Sequence, residues 1–366
     1  MPAVRMGATL DTLAVIGLDL PAPALAKLRG AFPTVHYYPK IHTDPEATIP
    51  AEVRGDIDMV FSQWKALPVD CPLADLPKLK HIQLSTAGVD MALRSSPAIR
   101  ELAQPNPPDV TLSTASGAHV LSIPNYVVAM TINLYHQIQQ MLRVAREKQY
   151  WSKTEADLRG EPYYARSTFG RTVGLLGYGA LGRETARLLK AHGMRVIAAN
   201  TTGQSTSETE YVIPGTGDPD GSIPEKFFST KDPASFEAFL RETDVLVSSL
   251  PSTQYTKWML DAEKLALLKP DALFINVGRG DLIKSDEILK ALDAGSLYGV
   301  ALDVTEPEPL TDGHPLWTHP RVIVTPHLSG NVEGELSIGT DIAVENAERL
   351  RKGLKPFNVV DIQKGY

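Results

Sequence analysis

Three ionisable side chains stand just past apolar runs in the C-terminal half of the chain: Arg279 after DALFINV, Glu308 after YGVALDV and His327 after RVIVTP. Any one alone would more often be a structural loop residue. Together their chemistries complement one another. A guanidinium can grip a carboxylate in a forked geometry and polarise the carbonyl beside it. A protonated imidazole can give its proton to that carbonyl oxygen. A carboxylate can orient the imidazole and favour its cationic form. This set suits reduction of a 2-oxo acid, with hydride from a bound nicotinamide and geometry and charge from the protein.

A seat for the dinucleotide precedes them. After the apolar run TVGLLG comes Gly177-Tyr178-Gly179-Ala180-Leu181-Gly182, leading directly into a helical pattern. Gly177 permits a tight turn, Gly179 lets the backbone approach a pyrophosphate, and Gly182 allows the helix to pack on the sheet. The phosphates then sit at a helix N-terminus, where free N–H groups favour negative charge. At the end of the next run, RVIAA, an acid would normally bind the adenosine ribose, but Asn200 stands there, followed by Thr201 and Thr202. Without the acid, nothing repels a 2′-phosphate, and all three residues can donate to one, which favours NADP over NAD. No Arg or Lys follows at once, so recognition is incomplete unless the inserted loop brings one in. The bland alternative is that Asn200 binds an NAD ribose.

The positions of these residues imply the architecture. From Thr172 onward, apolar runs with little alternation (172–177, 195–199, 244–250, 271–277, 298–304, 321–326) are separated by helical patterns such as SDEILKALDAG. That is the signature of parallel strands covered on both faces, here a doubly wound Rossmann-type sheet whose ligands lie outside the carboxyl ends of its strands. The N-terminal part repeats the theme in LAVIGLD, VHYYP, DMVFSQ, HIQLS and VTLST, giving an α/β protein of two domains, the smaller flavodoxin-like. The expected division is a substrate-binding domain over 1–117, completed by 336–366, and a dinucleotide-binding domain over 118–335. A single long helix over His119–Glu147 should bridge them, and 202–229, rich in Gly, Pro, Ser and Thr, reads as an inserted surface loop. Trp64, Trp151 and Trp317 read as packing residues, with Trp64 also able to line a substrate pocket. His81 and His192 read as helix-end or loop residues.

Bulk properties narrow the function. At 366 residues two domains are the natural prior, and 43% apolar with 22% charged residues is globular composition. A net charge of -7 argues against nucleic acid and anionic membranes, so an anionic substrate needs particular arginines. The single cysteine, Cys71, favours a reducing, cytoplasmic setting. No metal is expected.

On STAGVD (85–90), LGYGALG, SLPSTQYT (249–256), FINVGRGDLI, ALDVTEPEPL, PHLSG and LKPFNVVD, in that order and over nearly its whole length, the chain resembles the D-isomer-specific 2-hydroxyacid dehydrogenases. The resemblance implies that Arg279, Glu308 and His327 are catalytic. It implies that backbone N–H groups at Ala87 and Gly88 hold the substrate carboxylate, that the substrate also meets Arg279 and His327, and that Asp303 contacts the nicotinamide amide. Leu250, Pro251, Thr256, Val277, Gly278 and Gly330 would lie along the cofactor. It also implies a homodimer joined through the cofactor domains. Two departures are Asn125, where the family often has Glu, and the long 202–229 insertion. The expected activity is reduction of glyoxylate or hydroxypyruvate. The alternatives are a dinucleotide-sensing, corepressor-like scaffold and a dehydrogenase for a bulkier aromatic 2-oxo acid.

Overall fold

The computed structural model describes residues 7–153, 155, 158 and 163–365. By contact density the chain divides into two units. One holds the chain through His119, Thr209–Tyr211 and the chain from Glu333 onward; the other holds Val120–Glu208 and Val212–Val332.

In the first unit, β1 (Thr12–Ile16), β2 (Thr34–Tyr38), β3 (Met59–Ser62), β4 (His81–Leu84) and β5 (Thr111–Ser113) form a parallel sheet of order β2-β1-β3-β4-β5. The inner strands β1, β3 and β4 are buried at every position, while the edge strand β2 is half-exposed, as strands between two layers and at a rim must be. The C-terminal helix, Glu335–Arg351, closes this unit: Ala343 and Ala347 pack in one cluster with Leu28 and Phe32, and Asn346 Nδ2 donates to Gln83 Oε1 at 2.8 Å. His81 is not a helix-end residue. It begins β4, is fully buried and hydrogen-bonds Thr111 Oγ1 at 2.8 Å, and burial pushes its pKa down to about 4, so it is neutral.

The second unit holds β6 (Thr172–Leu176), β7 (Arg195–Asn200), β8 (Lys226–Ser229), β9 (Val245–Ser248), β10 (Ala272–Asn276), β11 (Leu297–Leu302) and β12 (Val322–Val324), all parallel, in the order β12-β11-β10-β9-β6-β7-β8. Strand order reverses between β6 and β9, the switch point at which such sheets bind ligands beyond the strand ends. Strands β6, β9, β10 and β11 are buried throughout; at roughly 1.5–3 kcal/mol for each fully buried large apolar side chain, they make a stiff base for the loops they launch.

Three further expectations change. The bridging helix is two helices, Ile123–Tyr135 and Ile138–Lys148, because Gln137 takes a left-handed conformation (φ 51°). Its side chain is drawn inward, where Nε2 donates to the Tyr298 hydroxyl at 2.8 Å and Oε1 accepts from the Leu158 amide at 2.9 Å. The insertion is not all loop, since its last residues form β8 on the edge of the sheet. Trp151 and Trp317 are exposed, Trp151 at 89%, and so are not core residues. No helix among the described residues is long and apolar enough to cross a membrane.

Candidate active site

Strands β10, β11 and β12 are consecutive neighbours in the sheet, so the loops leaving their carboxyl ends emerge side by side. They carry Arg279, Glu308 and His327 respectively. The β10 loop is shaped by Asn276, whose Oδ1 accepts from the Gly278 amide at 3.1 Å and whose Nδ2 donates to the Arg279 carbonyl at 3.0 Å. A Cβ on Gly280 would fall 1.8 Å from the Thr305 carbonyl oxygen, so glycine is needed where the β10 and β11 loops touch. The β11 loop is pinned by Thr305 Oγ1 donating to the Pro307 carbonyl at 2.8 Å and by Ser285 Oγ donating to the Glu306 carbonyl at 2.6 Å.

His327 Nδ1 lies 2.5 Å from Glu308 Oε1, with side-chain exposures of 47% and 39%. The hydrogen bond to Glu308 is the main reason the His327 pKa is raised above the usual histidine value; partial burial and the nearby Arg279 charge work against it. The imidazole therefore stays protonated to higher pH than a free one, with Nε2 as its remaining ring nitrogen, and Arg279 is near enough for its charge to be felt. The three predicted groups are thus brought together on one edge of one sheet.

His327 sits at φ 56°, a left-handed backbone uncommon for a non-glycine residue and strained by about 1–3 kcal/mol. Asp303 holds it there. The His327 amide donates to the Asp303 carbonyl at 2.8 Å. The Asp303 carboxylate, 3% exposed, accepts from Thr325 Oγ1 (2.6 Å), the Leu328 amide (3.1 Å), the Ser329 amide and Ser329 Oγ. Both of its oxygens are engaged by the histidine loop, so what it contacts in this structure is that loop. Tyr126 Oη, from the helix Ile123–Tyr135, bonds Thr325 Oγ1 at 2.9 Å.

The predicted cofactor residues follow strands of the same sheet. Gly177, leaving β6, has φ 100°, which only glycine adopts without strain. A Cβ on Gly182 would come within 2.4 Å of the Gly177 carbonyl, whereas one on Gly179 would meet nothing within 4 Å. The helix Ala180–Ala191 begins with no side-chain cap. Open space at Gly179, facing uncapped helix amides, fits a pyrophosphate. Leu250, Pro251 and Thr256 follow β9, with Thr256 Oγ1 donating to the Pro251 carbonyl at 2.6 Å. Val277 and Gly278 follow β10, and Gly330 ends the histidine loop. Ala87 and Gly88 belong to the other unit, in the loop after β4, where Thr86 Oγ1 donates to the Gly88 carbonyl at 3.0 Å.

Sequence reasoning missed a buried network that ties the insertion to the glycine loop. Tyr178 Oη donates to Asp218 Oδ2 at 2.6 Å; Arg183, 3% exposed, donates to the Asp218 and Thr206 carbonyls and lies 3.1 Å from Glu208 Oε2. An arginine on a helix face that should be buried was the available signal. It also missed Asn276 and the loop-holding role of Asp303.

A doubly wound sheet with a glycine loop at its switch point, and an acid-held imidazole beside an arginine on the same edge, together define a dinucleotide-dependent oxidoreductase. Comparison with known proteins makes the class specific. Residues 128–329 match the model of the D-isomer specific 2-hydroxyacid dehydrogenase, NAD binding domain. A glyoxylate/hydroxypyruvate reductase A of Photorhabdus laumondii is 30% identical over 80% of this chain and 84% of its own length. Among solved structures, a D-isomer specific 2-hydroxyacid dehydrogenase of Xanthobacter autotrophicus in complex with NADPH and MES aligns with TM-score 0.73 and 25% identity, over 98% of this chain and all of that one. An NADPH-dependent glyoxylate/hydroxypyruvate reductase of Sinorhizobium meliloti, in complex with NADP and sulfate, aligns with TM-score 0.70 and 28% identity, over 98% of this chain and all of that one. The chain belongs to the D-isomer specific 2-hydroxyacid dehydrogenases.

Proposed function

We propose that the protein reduces small 2-oxo acids, glyoxylate and hydroxypyruvate foremost, to their 2-hydroxy acids, with NADPH preferred over NADH. The observation that carries this reading is the 2.5 Å contact between Glu308 and His327 Nδ1. It leaves a cationic imidazole with one proton to give, beside a guanidinium that can bind the substrate carboxylate. His327 donates the proton to the carbonyl oxygen as negative charge develops there, Glu308 stabilises the cation beforehand, and Arg279 fixes the carboxylate and polarises the carbonyl. The bound nicotinamide supplies the hydride. The glycine loop and the uncapped amides that open the helix Ala180–Ala191 would hold its pyrophosphate. Support for the substrates comes from the names of the Photorhabdus and Sinorhizobium relatives, and support for NADPH comes from the absence of an acid at Asn200 and from the two dinucleotide complexes among the relatives.

We assign a homodimer as the working form. Support comes from five large apolar side chains of the dinucleotide-binding unit, Leu142, Tyr150, Trp151, Tyr164 and Phe169, that are exposed in the single chain and that a second copy would cover.

Initial rates with NADPH and with NADH on glyoxylate, hydroxypyruvate and phenylpyruvate test the function. The expected pattern is turnover of the two small acids, faster with NADPH. Failure to oxidise either nucleotide with any of the three acids overturns the reading, and phenylpyruvate as the best substrate moves it to the aromatic acids.

A further inference from the structure

We propose that Lys231 completes a 2′-phosphate site at the carboxyl ends of β7 and β8, so that the edge strand contributed by the insertion selects NADP. This deepens the cofactor preference argued above and rests on it. The glycine loop fixes where a pyrophosphate lies, and in a doubly wound sheet the adenosine ribose then falls at the end of the neighbouring strand, here β7.

The β7 end is a built turn. Asn200 Oδ1 accepts from the amides of Thr202 (3.1 Å) and Gly203 (2.7 Å) and from the Thr202 hydroxyl (3.1 Å), while its Nδ2 donates to the Gln204 carbonyl at 2.8 Å. Asn200 thus shapes the strand end and removes the usual acid, but supplies no charge. From Thr201 to Glu225 the sequence contains no Arg or Lys.

The cation comes from the next strand. Strand β8 pairs with β7 so that Asn200 stands opposite Ser229. The pairing continues past the strand ends: the Thr230 amide donates to the Asn200 carbonyl at 2.8 Å, and Ser229 Oγ donates to the Thr201 carbonyl at 3.3 Å. Lys231 follows directly, its amide held by Ser229 Oγ at 3.2 Å. Its side chain is exposed and its ammonium has no hydrogen-bond or ion-pair partner among the described residues. The other lysine of this strand, Lys226, is by contrast paired with Glu242 at 2.6 Å. The adjacent acid, Asp232, caps the helix Pro233–Glu242 through the Ala234 amide at 3.1 Å. An exposed ammonium two residues beyond the residue that pairs with Asn200, together with the Thr201 hydroxyl on the neighbouring strand end, offers the donors a phosphate monoester requires.

The test is calorimetric titration of the full-length protein and its variants with adenosine 5′-monophosphate and adenosine 2′,5′-bisphosphate. The wild type should hold the bisphosphate more tightly. Lys231→Ala should cut the ratio of the two affinities by about tenfold or more, Lys231→Arg should keep it, and added salt should shrink it in the wild type. A ratio that survives in Lys231→Ala overturns the assignment while leaving the NADP preference standing. A wild-type ratio near one overturns that preference and the assignment with it.

Discussion

Glu308 Oε1 lies 2.5 Å from His327 Nδ1, and that hydrogen bond is the largest cause of the raised His327 pKa. A raised value means that the cation needed for 2-oxo acid reduction is present at low pH and is lost as pH rises through the folded-state pKa. In Glu308→Gln the negative charge is gone and only a weaker, neutral acceptor faces Nδ1, while Arg279 still disfavours the cation, so the alkaline limb of the kcat/KM profile should move to lower pH. At neutral pH the rate should fall by about a hundredfold. A pH profile on glyoxylate checks both; an unmoved limb would remove Glu308 from its part in holding the proton.

His327→Gln removes the proton donor without changing the loop. The neutral amide has no proton of suitable acidity, so reduction should drop by roughly 10²–10⁴-fold. Dinucleotide binding, which depends on the glycine loop on the far side of the switch point, should persist. Rates and fluorescence titration with NADPH measured on the same preparation separate the two.

Much of this was legible because the decisive residues sit where sequence patterns are strongest. Strands such as β6 and β10 are buried on both faces, so each reads as an unbroken apolar run, and the residue that follows each run is thereby placed on the ligand edge. What escaped depends on tertiary contacts. KFFS is four residues inside a polar stretch, and only its pairing with β7 makes it a strand. The helix break at Gln137 exists because a polar side chain finds buried partners at Tyr298 and Leu158, which no periodicity announces. For Asp303 the family resemblance implied a contact with the nicotinamide amide, whereas the amides it gathers from Leu328 and Ser329 are set by the fold and leave no mark in the sequence.

That gathering has a measurable cost if undone. Asp303 is 3% exposed and accepts from Thr325, Leu328 and Ser329. In Asp303→Asn one oxygen becomes an NH₂ facing donors, leaving buried groups unpaired, so stability should fall by about 1–3 kcal/mol. The strained backbone of His327 should relax, lowering kcat more than it raises KM. Thermal unfolding of the cofactor-free protein reads the first effect and steady-state kinetics the second.

The insertion is anchored by charge as well as by pairing. Arg183 and Glu208 have side-chain exposures of only 4% and 12% and approach to 3.1 Å. Arg183 also bonds the Asp218 and Thr206 carbonyls at 2.6 and 2.7 Å and lies over the Tyr178 ring. Arg183→Met would keep the bulk and remove the charge, stranding the Glu208 carboxylate and two carbonyls in a space built around a cation. Breaking a buried pair from one side costs about 3–5 kcal/mol, so urea unfolding should shift by that much. Because Gly179 and Tyr178 share this neighbourhood with Asp218, the dinucleotide KM should also rise, and limited proteolysis should cut within 202–225. Wild-type stability and an uncut insertion in this variant would mean that the arginine is a passenger and that backbone pairing alone holds the loop.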